Sequence, residues 1–176
     1  MRRLAAVFLL LLATSCGGDD PGLDVGGGNA GAPTATAQDP TPTPLASSTV
    51  TFEPAKVLID TGDGSVLIDA EKAETPDQHA LGLMHRTSLA EDSGMVFLFF
   101  EQHSGGFWMK NTLIPLSIAF FDEKGKILRI LDMEPCEAEP CEIYDPGVPY
   151  GGALEVNQGA FDDWGVTEGD RITVTH

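Results

Sequence analysis

The chain has 176 residues, of which 42% are apolar, and 27 acids against ten bases give a formal charge of −17. Phosphate binding needs clustered Lys and Arg, so a surface this acidic excludes nucleic acid as an expected partner. The length leaves room for one ordinary domain plus extensions.

Residues 1–16 read as a bacterial lipoprotein signal. Arg2 and Arg3 form a positive start, Leu4 to Leu12 is an unbroken apolar run, and Ala13-Thr14-Ser15 places small residues before Cys16. The run is shorter than the ~20 residues a membrane span needs and is built like a cleavable signal. Cys16 is the expected lipidation site. This predicts an exported protein held on the extracytoplasmic side of a membrane through the lipid on Cys16. Cleavage there would remove two arginines and no acid, making the chain more negative still.

Residues 17–48 read as a tether. They carry Gly26-Gly27-Gly28, then Thr and Pro in alternation through Pro44. Such a segment buries too little apolar surface to offset the entropy of ordering it. Residues 49–176 remain for one domain, large enough for an apolar core without a metal.

The domain reads as mostly strand. Lys56–Asp60 and Ser65–Asp69 flank the Gly-rich turn Thr61-Gly62-Asp63-Gly64, which predicts a hairpin. Thr75-Pro76-Asp77-Gln78 has a capping Thr, Pro at the first helical position and Gln three residues after the cap. A helix of about three turns is expected there, burying Ala80, Leu83 and Met84. Met95–Phe100 is fully apolar and predicts a central strand. Ile114, Leu116, Ile118 and Phe120 alternate with small or polar residues, so one face of that strand is expected in the core. Asp122-Glu123-Lys124-Gly125 turns the chain into Lys126–Met133. Tyr150–Val156 and Arg171–Thr175 predict two more strands, and Phe161–Gly165 a single helical turn closed by glycine. Many short strands with one or two short helices predict a mainly β fold, a barrel-like or strongly curved antiparallel sheet. A two-layer α+β domain is the alternative.

Cys136 and Cys141 enclose Glu137-Ala138-Glu139-Pro140. In an exported chain a close pair is expected to close as a disulfide. The surrounding acids would raise thiol pKa values, which argues against a redox role.

Several stretches together resemble the DUF192 (UPF0127) family of unknown function. They are Gly82-Leu83-Met84-His85-Arg86, Ser93-Gly94-Met95-Val96-Phe97, Phe107-Trp108-Met109-Lys110-Asn111-Thr112-Leu113-Ile114-Pro115-Leu116, Ala153–Gly159 and Gly169-Asp170. The resemblance covers most of residues 55–175. It implies a small, mainly β domain and carries over no catalytic residue. The family usually shows Asp where this chain has Ser117, which weakens any acid–base or metal role built on that position.

Polar residues inside these apolar motifs are the candidate site: Arg86, Trp108, Lys110, Asn111, Thr112 and Glu155. One reading is a structural network in which Arg86 or Lys110 pairs with Glu155 and the others satisfy turn backbone. The other is a small-molecule pocket, with Trp108 as a wall, Arg86 and Lys110 holding an anionic group and Glu155 a hydroxyl or cation. An enzyme using Arg86, Lys110 and Glu155 is a further alternative, although His79, His85, His103 and His176 sit in no nucleophile motif. Copper is a third, through Met84, His85, Met95, His103, Met109 and Met133, but the methionines lie in apolar runs and read as core. No cofactor or metal is expected. The overall expectation is a monomeric binding or accessory module of the cell envelope, with a small molecule or an envelope protein as partner.

Overall fold

The computed structural model describes residues 49–175; the expected signal, Cys16 and the expected tether lie outside the described residues. Two helices and nine strands follow in chain order: β1 (Glu53–Asp60), β2 (Ser65–Ala73), α1 (Pro76–Leu81), β3 (Ser93–His103), β4 (Phe107–Trp108), β5 (Leu116–Phe121), β6 (Ile127–Met133), β7 (Ile143–Tyr144), β8 (Tyr150–Asn157), α2 (Ala160–Asp163) and β9 (Arg171–Thr175). Seven strands form one sheet in the order β6-β5-β8-β3-β2-β1-β9, and β4 pairs with β7 in a separate two-stranded ribbon. The fold is mainly β, a curled half-barrel with two short helices. The edge strands approach each other: Lys126 bridges Arg171, the Ile127 amide donates to the Asp170 carbonyl at 2.8 Å, and the Ile172 amide to the Gly125 carbonyl at 2.7 Å. Gly125 has φ of +80°, and a Cβ there would lie 2.0 Å from the Ile172 carbonyl oxygen, so only glycine permits this approach.

The β1–β2 hairpin forms as expected from its turn, with Thr61 and Gly64 hydrogen-bonded across it at 3.0 Å. The sheet is not wholly antiparallel, however. β2 runs parallel to β3, with Asp69 opposite Ser93 and Ala73 opposite Phe97. Parallel neighbours need a crossover of a dozen or more residues, and residues 74–92, which carry α1, supply it. The sequence marks the helix but not which strand follows beside which.

The α1 start has the capping box: the Gln78 amide donates to Thr75 Oγ1 at 3.3 Å, and the Thr75 amide to Gln78 Oε1 at 3.0 Å. The helix is six residues long rather than three turns, and none of its residues is buried. Gly82, with φ of +48°, stops it. Ala80 is exposed, Met84 half-buried, and Leu83 enters the core only after the chain has left the helix.

Two apolar clusters cover the two faces of the sheet. Val57, Ile68, Val96, Ala119, Ile127, Leu154 and Ile172 belong to the cluster supplied by all seven strands, which is the inside of the curl. Phe161 of α2 and Val166 join it. On the other face, Met95, Phe97, Ile118, Phe120, Ala153 and Met133 pack with Leu83, Met109 and Tyr150. All six residues of β5 are therefore buried. Its small-residue face, expected to be the less buried one, is a second core. Ser117 lies on that face, 1% exposed, where its hydroxyl accepts from the Gly159 amide at 2.9 Å and donates to Asp132.

Candidate functional site

The β4–β7 ribbon and the loops around it are built on the outer cluster. Cys136 and Cys141 form a disulfide, with Cα atoms 5.4 Å apart. Lys110 bridges to Glu139 inside that small ring at 2.8 Å and lies 5.5 Å from the centre of the Trp108 ring. The Lys110 ammonium holds the exposed Glu139 carboxyl below its ordinary value. The Cys136 amide donates to the Met109 carbonyl at 3.4 Å, which ties the ring to the 109–112 turn.

That turn meets a second one at unusual backbone geometry. His85 and Asn111 both have positive φ, +64° and +56°, and the His85 amide donates to the Asn111 carbonyl at 2.9 Å. Asn and His are both among the non-glycine residues that enter the left-handed region most readily, at a modest backbone cost. The Asn111 side chain also reaches Met84 Sδ at 3.9 Å. Two motifs far apart in sequence, 82–86 and 107–112, are thus locked edge to edge.

Behind this junction lies a cavity of about 30 Å³, lined among others by His79, Met84, Phe97, Phe107, Trp108, Thr112 and Glu155. Phe97 and Phe107 meet edge to face at 5.0 Å, and His79 packs beside Phe97 at 6.0 Å while its Nε2 bonds the Ala73 carbonyl at 3.0 Å. Glu155 projects from β8 between Met95 and Ile118 of the flanking strands, onto the apolar outer face. It is 5% exposed. Burial alone pushes its carboxyl up to about 8, because an ion in an apolar surround loses its hydration. No ion pair or hydrogen bond to that carboxyl occurs among the described residues. Since no fully enclosed polar side-chain atom among them lacks a partner, the Glu155 oxygens are not sealed in but touch the cavity.

The candidate residues therefore fall into separate places. Trp108, Thr112 and Glu155 share the small cavity. Lys110 and Asn111 flank it. Arg86 pairs with Glu71 of β2 and not with Glu155, and Lys110 is bound to Glu139. Both cations find nearer carboxylates, whereas Glu155 sits on a strand with apolar neighbours on both sides. Arg86 lines a different and much larger groove, about 630 Å³, beneath the β2–β3 crossover. Its lining includes Ala55, Ala70 and Gly94 of three adjacent strands and Leu89 and Ala90 of the crossover, and two ion pairs, Arg86–Glu71 and Lys56–Asp69, border it. Sequence reasoning missed Lys56, Asp69 and Glu71, whose strand positions look like ordinary outward-facing charges. The signal available was that Asp69 and Glu71 are i and i+2 on one strand face, with Lys56 opposite Asp69 in the hairpin register.

The residues suggested for copper are dispersed. Met95, Met109 and Met133 are fully buried in the outer core, whereas His85 and His103 are exposed. No group of three or more His, Cys, Asp or Glu placed to hold a metal occurs among the described residues.

Comparison with known proteins gives the family. A solved structure from Sinorhizobium meliloti 1021, described as a putative transcription regulator, is 34% identical, with a TM-score of 0.67, and the match covers 72% of this chain and 97% of that one. A protein of unknown function from Novosphingobium aromaticivorans is 29% identical, with a TM-score of 0.62 over 81% of this chain and 99% of that one. None of the curated proteins matches. The model of DUF192, described as an uncharacterized ACR family, matches residues 57–174, from within β1 to within β9. That span takes in both helices, part or all of every strand, the small cavity and most of the lining of the groove, and the chain belongs to the DUF192 family.

Proposed function

We propose that this domain is the head of an extracytoplasmic lipoprotein and binds a small molecule in the groove beneath the β2–β3 crossover. The anchor reading rests on the amino-terminal sequence: Arg2, Arg3, the apolar run to Leu12, and the small residues before Cys16. A disulfide between Cys136 and Cys141 fits an oxidising compartment.

The observation that carries the binding reading is the groove itself. Its volume of about 630 Å³ lies within the range of small-molecule sites, and such sites combine an apolar floor with a few fixed polar groups. Arg86 is the polar group best suited to recognition. Its guanidinium is only partly covered and is neutralised by one carboxylate, Glu71. A ligand carboxylate competes for the same planar donors. An apolar-bodied carboxylate is therefore the ligand class this reading favours.

Catalysis by an Arg86, Lys110 and Glu155 cluster has less support, because no two of these side chains meet. Nucleic acid remains disfavoured by a charge of −17, whatever the description of the Sinorhizobium relative suggests for that protein.

Two measurements test the proposal. Thermal-shift titration with a panel of aliphatic and aromatic carboxylates is expected to give saturable stabilisation of the wild type, reduced at least tenfold in affinity by Arg86→Gln and increased by Glu71→Gln. Identical responses from all three proteins would overturn the groove reading. Mass analysis of the exported protein is expected to show a mature chain that begins at a diacylglyceryl-modified Cys16, with the uncleaved precursor accumulating under globomycin; an unmodified Cys16 in the mature chain would end the anchor reading.

A further inference from the structure

The small cavity is separate from the groove and has a different chemistry. Its lining contains one acid, Glu155, one imidazole, His79, and no lysine or arginine. An unpaired carboxylate in an apolar surround is costly unless a counter-ion reaches it. The two cations of the flanking motifs are engaged elsewhere, Arg86 with Glu71 and Lys110 with Glu139. His79 of α1 has its Nε2 on the Ala73 carbonyl. The strands flanking Glu155 present Met95 and Ile118 to it, which cannot compensate a charge. When the Glu155 carboxyl is ionised, its counter-ion must therefore come from solution.

The walls suit a cation. Phe97, Phe107 and Trp108 line the space, and aromatic faces attract positive charge. Trp108 already has one ammonium, that of Lys110, 5.5 Å from its ring centre. The volume, about 30 Å³, is that of a single water-sized group. It admits an –NH₃⁺ head and excludes a quaternary ammonium. Access is local: Trp108 is 49% exposed and Ala80 is also exposed, and both line the cavity.

We propose that the cavity between α1 and Trp108 is a seat for one primary-ammonium group, with the Glu155 carboxylate as its counter-ion and Phe97, Phe107 and Trp108 as its walls. At neutral pH the carboxyl holds a proton, because burial keeps it protonated up to about pH 8. Binding is then an exchange: the ammonium enters, the Glu155 proton leaves to solvent, and the buried charge stays balanced. The ligand class is a primary amine with a slender end, its remaining atoms lying outside the mouth beside Trp108.

The test is calorimetric titration of the full chain with methylammonium chloride at pH 7, in two buffers of different ionisation enthalpy. The expected result is one saturable site, with close to one proton released per ammonium bound. Affinity should rise at pH 9, where Glu155 is already ionised and methylammonium is still charged. Glu155→Gln, which keeps shape and removes charge, should weaken binding at least tenfold. Trp108→Ala, at an exposed position with little risk to folding, should weaken it severalfold. Tetramethylammonium should not bind. The proposal is overturned by the absence of a saturable site, by equal binding to Glu155→Gln, by binding without proton release at pH 7, or by equal binding of tetramethylammonium or potassium. Arg86→Gln should leave methylammonium binding unchanged, so failure here and failure of the groove reading are distinguishable.

Discussion

Glu155 is the residue whose environment has the clearest energetic consequence. Its carboxyl titrates near 8 in the folded protein against a value near 4.3 in an unfolded chain. Below both values the group is protonated in both states and costs nothing. As pH rises through the unfolded value, the unfolded chain releases its proton and the folded one does not, so stability falls. The loss grows by ~1.4 kcal/mol per pH unit until the folded value is passed, then levels off. Denaturant melts should therefore show the protein less stable at pH 8 than at pH 5, and Glu155→Gln should flatten most of that difference. At pH 7 the same substitution should stabilise by about 1–3 kcal/mol. A wild type equally stable at pH 5 and pH 8 would contradict the assignment. Glu155 was legible as a polar residue inside an apolar motif. That it has no cation beside it was not, because Glu71 and Glu139, the partners of Arg86 and Lys110, lie 15 and 29 positions from those cations. Ser117 teaches a similar lesson. Alternation placed it correctly on the face away from Ile118 and Phe120, but not that this face is closed by α2, with the Ser117 hydroxyl bonded to the Gly159 amide.

Among the elements, α1 depends on local chemistry more than on packing. Its capping box is complete and none of its residues is buried. Thr75→Ala should cost about 1 kcal/mol and appear first as faster hydrogen exchange of the α1 amides. The helix was legible because capping is a short-range pattern. Its length was not, because Gly82 is only a weak breaker until the chain needs to turn toward β3. The β4–β7 ribbon stayed hidden for a related reason: each strand has two residues, too few for a period to show. Its neighbour, the Cys136–Cys141 ring, should add about 2 kcal/mol by the loop-entropy argument, so Cys136→Ser with Cys141→Ser should lower the melting midpoint accordingly. If the double substitution changes stability by less than a few tenths of a kcal/mol, the ring is not a staple for the ribbon.

At the scale of the whole molecule, the decisive feature is how the sheet closes on itself. β6 and β9 meet through Gly125, Lys126, Arg171 and Ile172. Gly125→Ala introduces a Cβ at 2.0 Å from the Ile172 carbonyl and strains a positive φ. It should destabilise by at least about 2 kcal/mol, with early loss of protection at the β9 amides; wild-type stability would mean that this approach is loose. The amino-acid order by itself determined the strand-rich class, the first hairpin, the helix cap, the disulfide pair and the family, because each rests on residues close in sequence or on a set of ordered motifs. Only the tertiary structure decided that β2 and β3 run parallel, that the sheet carries a core on both faces, and that the polar candidates divide between a large groove at Arg86 and a small cavity at Glu155. Those outcomes depend on which strands become neighbours across the sheet, and pairing between distant segments is set by the packing of the whole chain rather than by any one of its stretches.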